Sequence, residues 1–271
     1  MKETFEKWND HDAPRLGAAL AFYSILSLAP LVMIAIAIVS LIFGRDAAQS
    51  EIGAQLSATI GQSGADAVKT MLASSHKASS GTVASIIGIA TLLLGASGVC
   101  GELRASLNKI WDAKPTDGSG IMGMIKERSF AFGMVLAVGF LLLVSMVVSA
   151  ALATLGKFAG GLLPIPAAAL EILNFAVSFG VITLLFALIY KYVPSVDIDW
   201  KDVWIGAIAT ALLFTIGKFL IGLYLAKAGV GSAYGAAGSL VAVIVWVYYS
   251  AQIFFFGAEF TQVYAHSGHS V

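Results

Sequence analysis

The stretch from Gly238 to Gln262 holds 25 residues and a single formal charge, Glu259. Few folds are open to a run this long and this apolar. At about 1.5 Å per residue it crosses the roughly 30 Å hydrocarbon core of a bilayer as one helix. At 100° per residue, Trp246, Tyr249, Gln252, Phe256 and Glu259 gather on one side, whereas Ile244, Val247 and Phe254 fall elsewhere. The first side is expected to face protein or water and the other to face lipid. A carboxylate in such a helix usually has a partner or a task. The alternative is that Glu259, 21 residues in from Gly238, reaches the inner interface and only anchors the helix.

Composition points the same way. Of the 271 residues 58% are hydrophobic and 12% charged, against about 25% charged in soluble domains. Sixteen basic and sixteen acidic residues leave zero formal net charge, which removes the electrostatic case for a nucleic-acid partner. The single cysteine, Cys100, excludes an intramolecular disulfide framework. No cleaved signal peptide is expected, because Met1 to Asp12 is polar and the apolar run that follows is too long.

Six spans are expected, at 16–43, 82–99, 129–155, 167–189, 203–225 and 238–262, which makes the fold class an all-α polytopic membrane protein. Residues 1–15 mix Lys2, Lys7 and Arg15 with Phe5 and Trp8, the pattern of a short amphipathic helix on the membrane surface, and Asp12 is a candidate N-cap for the first span. That span is expected to tilt, or to kink at Pro30. Segment 44–80 is punctuated by charges and reads as two amphipathic helices on the outer face. Glycines at 88, 95 and 98 favour close helix approach in the second span. Asp197, Asp199 and Asp202 surround Trp200 in an acidic hairpin before the fifth span. Gly231, Gly235 and Gly238 form a hinge before the sixth, and 266–271 form a cytoplasmic tail.

Lysine and arginine set the orientation. With the N-terminus inside, inner segments hold ten of them and outer segments five, which places both termini in the cytoplasm.

Four segments carry a family resemblance: LGAALAFYSILSLAPLV (16–32), ELRASLNKIWD (102–112), YKYVPSVDIDWKD (190–202) and YGAAGSLVAVIVWVYYSAQIFFFGAEFTQVYA (234–265). In this order, over nearly the whole chain, they resemble the YihY/BrkB family of bacterial inner-membrane proteins. The resemblance implies a six-helix protein of the plasma membrane, in a family whose members carry ribonuclease BN, virulence or serum-resistance labels. It implies no catalytic or substrate residues.

The residues themselves disfavour an enzyme. His266 and His269 are three apart but have no third ligand nearby, and the acids at 197–202 read as a solvated hairpin, so no metal and no cofactor is expected. There is no phosphate-loop signature, and no histidine accompanies Cys100 or the membrane serines. Solute-contacting candidates are Tyr23 and Ser27 before Pro30, Lys218, and Tyr249, Gln252 and Glu259. Lys218 has three readings: a snorkelling anchor, a structural partner, or a solute or ion contact. Arg15 and Arg104 lie at the depth of Glu259 and are its candidate ion-pair partners, closing a cleft lined by Tyr23, Tyr249 and Gln252. The expected function is a transporter or exporter of a neutral or amphiphilic, lipid-like solute. The alternative is an envelope scaffold, and a ribonuclease stands last. The expected partners are membrane lipids and that solute, with a homo-oligomer suggested by the Gly156–Gly160 spacing.

Overall fold

The apolar runs become helices in the computed structural model, which describes residues 1–44, 49–50, 52–53, 57, 65–66, 68–70, 98–113, 167–227 and 238–268. We number them α1 (Lys2–Asp10), α2 (Ala13–Phe43), α3 (98–110), α4 (Ala167–Tyr192), α5 (Trp200–Lys227) and α6 (Gly238–Gly268). The described residues contain no strand. Three stretches are long and apolar enough to cross a membrane, Phe175–Tyr192, Trp200–Leu225 and Leu240–Ser267, and Ala13–Leu28 is a shorter apolar helix. This is an all-α membrane fold. The expected span 129–155, nearly all of the span 82–99, much of 44–80 and the hinge glycines Gly231 and Gly235 lie outside the described residues.

Local chemistry sets the helix limits. Pro14 sits in the first turn of α2, where a missing N–H has no intrahelical partner to lose. Asp12, just before it, adopts φ 55°, a left-handed conformation that Asp tolerates better than most residues. α4 stops two residues short of Pro194, and α5 opens where the Asp202 and Val203 N–H groups both donate to the Asp199 carbonyl at 3.0 Å. α6 runs on through Gly268, so residues 266–268 belong to the helix rather than to a tail. α2 passes through Pro30 as one 31-residue helix. Ser27, expected beside a break, instead donates to the Ser24 carbonyl one turn back, at 3.0 Å.

One end of the bundle is the better packed. Leu16 and Leu20 of α2, Leu103, Leu107 and Ile110 of α3, Phe186 and Tyr190 of α4, Val203 and Ala207 of α5, and Ala251, Phe254, Phe255 and Ala258 of α6 form one buried cluster. The starts of α2 and α5 therefore meet the ends of α3, α4 and α6. Val32, Val68 and Val243 make a second cluster that Trp246 packs against. The reading of α6 as half lipid-facing is corrected by Phe254, which is buried against Phe186 and Tyr190. Contacts with α1, α2, α4 and α5 cover more of α6 than one polar stripe implies.

Buried polar groups fasten the helices to each other. Tyr190 of α4 donates its hydroxyl to the Phe254 carbonyl of α6 at 2.8 Å and lies 3.0 Å from the Thr210 hydroxyl of α5. Gly257 makes room for this node, since a Cβ there would stand 2.0 Å from Thr210 Oγ1 and 2.7 Å from the Tyr190 hydroxyl. Tyr190→Phe is expected to destabilise the protein by about 1–2 kcal/mol, because it removes one buried hydrogen bond and leaves Thr210 with less to bond. Thermal unfolding in detergent, followed by circular dichroism, measures it.

Aromatic rings mark this end from outside. Trp200 lies 6.2 Å from Tyr192 and 6.4 Å from Trp204 between ring centres, and all three are exposed. Amphipathic rings in that position suit a membrane–water boundary. Between α4 and α5, the Lys191 ammonium bonds Asp197 and donates to the Ile198 carbonyl at 2.7 Å. That bond, and the positive charge behind it, hold the Asp197 carboxyl below the usual carboxylate range.

Candidate functional site

α1 has two working faces, and each builds a feature against α6. Phe5 and Trp8, three residues apart, stack at 5.6 Å and border a cleft of about 300 Å³. Leu213, Ile216, Gly217 and Leu220 of α5 and Tyr249, Gln252, Ile253 and Phe256 of α6 supply the other walls. Phe5, Ile216 and Leu220 are also exposed, so the cleft opens sideways onto the apolar surface of the bundle. Beside the Trp8 indole N–H, buried without a hydrogen-bond partner among the described residues, its polar element is the Gln252 carboxamide. Both its nitrogen and its oxygen are buried without a hydrogen-bond partner among the described residues. The amide lies against Gly17 of α2, where a Cβ would come within 2.0 Å of Gln252 Nε2. A buried amide without partners is uncommon, because losing water without replacement costs about 1–3 kcal/mol.

The other face of α1 runs through Thr4 and Lys7 to His11 in the corner after it. Thr4 is fully buried, and Lys7 donates to Gln262 Oε1 at 2.8 Å. His11 Nδ1 lies 2.7 Å from Glu259 Oε1, and the Glu259 side chain is 0% exposed. Its second oxygen, Oε2, is buried with no partner among the described residues. The far side of the His11 ring faces the turn after α3, with Nε2 3.8 Å from Asp112 Oδ1. Lys109 of α3 donates to the His11 carbonyl at 2.6 Å and lies 3.6 Å from Asp12 Oδ2. His266, one turn beyond Gln262, has Nδ1 2.8 Å from the Gln262 carbonyl oxygen and tilts over Trp111, 6.4 Å between ring centres. Among the described residues no group of three His, Cys, Asp or Glu side chains is placed to hold a metal ion.

The sequence decides what kind of protein this architecture belongs to. The family described as Virulence factor BrkB matches residues 4–270. The chain belongs to the Virulence factor BrkB family. It is 29% identical over 249 residues to a UPF0761 membrane protein of Verminephrobacter eiseniae, covering 90% of this chain and 57% of that one. It is 26% identical over 269 residues to a UPF0761 membrane protein of Mannheimia succiniciproducens, covering 95% and 86%. With the UPF0761 membrane protein YihY of Salmonella typhimurium it shares 31% identity over 197 residues, 72% of this chain and 62% of the relative. The chain thus spans less than two thirds of the length of several relatives that it matches. No solved structure matches it.

The positions singled out in this BrkB-family sequence part company in the fold. Tyr249 and Gln252 line the cleft, and Glu259 lies about two turns further along α6. Tyr23 packs on α3 instead, where a Cβ at Gly98 would meet its ring at 2.4 Å. Ser27 is turned to its own helix, and Lys218 is exposed on α5 outside the cleft. The partner of Glu259 is His11, which corrects the assignment to Arg15 or Arg104. Arg15 faces Asp12 at 3.5 Å with 75% of its side chain exposed. Arg104 donates to Ser195 Oγ at 3.2 Å, beside Asn108, which clamps the same serine. Both arginines are engaged by other groups, Arg15 by Asp12 and Arg104 by Ser195. Phe5 and Trp8 were legible as an amphipathic pair, yet nothing in their spacing announced that they border a cleft.

Proposed function

We propose that this protein is a transporter or exporter of a neutral or amphiphilic, lipid-like solute in the bacterial inner membrane, with both termini on the cytoplasmic side. The observation that carries the reading is the side cleft: apolar walls, an opening toward the face a bilayer covers, and a buried carboxamide with both hydrogen-bonding atoms unpartnered among the described residues. A small apolar pocket with few polar groups suits an amphiphile that leaves its chain among Leu213, Ile216 and Phe256 and presents a donor or acceptor to Gln252. Six crossings fit the described helices. α2 starts, and α3 ends, at the end of the bundle where α1 meets α6.

The scaffold reading has one observation in its favour: Tyr190, Thr210, Lys7 and Gln262 are spent on joining helix to helix. Reconstituted vesicles separate the two. With a headgroup-labelled phospholipid and a membrane-impermeant quencher, the wild-type chain is expected to move label between leaflets. Gln252→Leu is expected to slow it roughly fivefold, the equivalent of a lost hydrogen bond of about 1 kcal/mol. No movement of labelled lipid, or of other amphiphiles tried in its place, would leave the scaffold reading standing.

A further inference from the structure

Glu259 is the most buried ionisable carboxyl among the described residues, and its two oxygens are treated differently. Oε1 meets His11 Nδ1 at 2.7 Å, whereas Oε2 is enclosed with no partner among the described residues. A purely structural carboxylate would be expected to have donors on both oxygens, since an enclosed charge is costly wherever it is left uncompensated. The charged groups nearby are committed elsewhere. Lys7 of α1 is bonded to Gln262, Lys109 of α3 to the His11 carbonyl, and Arg15 of α2 pairs with Asp12. From α4 and α5 the neighbours at this level of α6 are the Tyr190 and Thr210 hydroxyls at Gly257. His266 lies further along α6, beside Trp111.

The imidazole is what gives this carboxyl a route to solvent. His11 is 16% exposed and spans from the enclosed Glu259 to Asp112, whose side chain is 73% exposed. The 3.8 Å between Nε2 and Asp112 Oδ1 is too long for a direct hydrogen bond, but it sets the exposed carboxylate beside the ring nitrogen that faces away from Glu259. An enclosed carboxyl, an imidazole and an exposed carboxylate in series form the arrangement that passes protons, because imidazole can accept at one nitrogen while it gives up a proton at the other.

We propose that Glu259 is a proton-binding site supplied from the surface beside Asp112 through His11. The starting state has a Glu259 carboxylate and a neutral His11 carrying its proton on Nδ1. A solvent proton adds to Nε2, and the Nδ1 proton passes to Glu259 Oε1. One proton has then been taken from solvent, the carboxylate has become a neutral acid, and the imidazole remains neutral with its proton on Nε2. The assignment needs only this geometry and holds whether or not the cleft carries a solute.

Infrared difference spectra of the full chain in lipid nanodiscs, taken across a pH titration, test it. The expected result is a protonated-carboxyl C=O band that is lost in Glu259→Gln and moves in frequency in Glu259→Asp. After a pH jump, His11→Asn, which can still donate to Glu259 but cannot relay, should slow the band's appearance by about a hundredfold or more while leaving its amplitude. Asp112→Asn should slow it less. A band that persists in Glu259→Gln overturns the proposal, as does the absence of any titrating band or an unchanged rate in His11→Asn. If Gln at 259 prevents assembly, an unmoved band in Glu259→Asp overturns it equally.

Discussion

Gly206→Ala is expected to destabilise the protein by about 2–3 kcal/mol, the upper part of the range for overpacking a tight contact, while Gly222→Ala on the same helix is expected to stabilise it by up to about 1 kcal/mol. A Cβ at Gly206 would stand 1.8 Å from Thr261 Oγ1 and 2.7 Å from both Thr261 Cβ and Cγ2. Threonine branches at Cβ, so no rotamer withdraws all three atoms, and the helices themselves must part. Thr261 is fully buried and its hydroxyl is bonded to the Gly257 carbonyl at 2.7 Å, which holds it in place. Gly222 meets nothing within 4 Å, so alanine there only restrains the unfolded backbone and improves helix propensity. Thermal unfolding of both variants in the same detergent compares them directly. Thr261→Ala in the Gly206→Ala background should recover part of the loss, since it removes the nearest atom but leaves Cβ. Equal effects at 206 and 222 would mean that α5 and α6 do not approach as closely as described.

His11→Ala is expected to lower stability near neutral pH by about 3 kcal/mol or more, because it strands a buried carboxylate whose partner among the described residues is the imidazole. Arg15→Ala is the control. Its pairing with Asp12 is largely exposed, so the change should cost about 1 kcal/mol or less. Combining His11→Ala with Glu259→Gln should cost less than the two separate losses added together, since a carboxamide left in the same place carries no charge. If His11→Ala costs no more than Arg15→Ala, the His11–Glu259 contact does not hold α1 to the bundle.

What the sequence made legible is what depends on local pattern. The apolar runs at 167–189, 203–225 and 238–262 lie inside α4, α5 and α6, and the amphipathic mix around Phe5 and Trp8 is α1. The polar stripe of α6 put Tyr249, Gln252 and Glu259 on the list because side chains three or four apart share a helix face. Partners separated by most of the chain were not legible in this way. His11 and Glu259 are 248 residues apart, and which of several groups at one depth reaches the carboxyl depends on how α1 turns into α2. Phe254 was misplaced for a related reason. A helix in an apolar solvent is apolar all round, so hydropathy cannot separate a face against Phe186 from a face against lipid. The Gly206–Thr261 and Gly257–Thr210 contacts escape notice because a glycine in a long helix reads the same whether a neighbour presses on it or not.

The corner between α1 and α2 consists of His11 and Asp12 alone, and three steps of 3.8 Å between Cα atoms keep Asp10 within about 11 Å of Ala13. The amino-terminal rod therefore cannot slide along its neighbours or drift off. Once the Lys7–Gln262 bond opens, the motion left to it is a tip, like a door on a post. Phe5, about 9 Å from the post at 1.5 Å per residue, sweeps the widest arc, and Trp8 a shorter one. His11 stands at the post itself, so a slight rotation there is magnified at the two aromatic rings that form one jamb of the opening between α5 and α6.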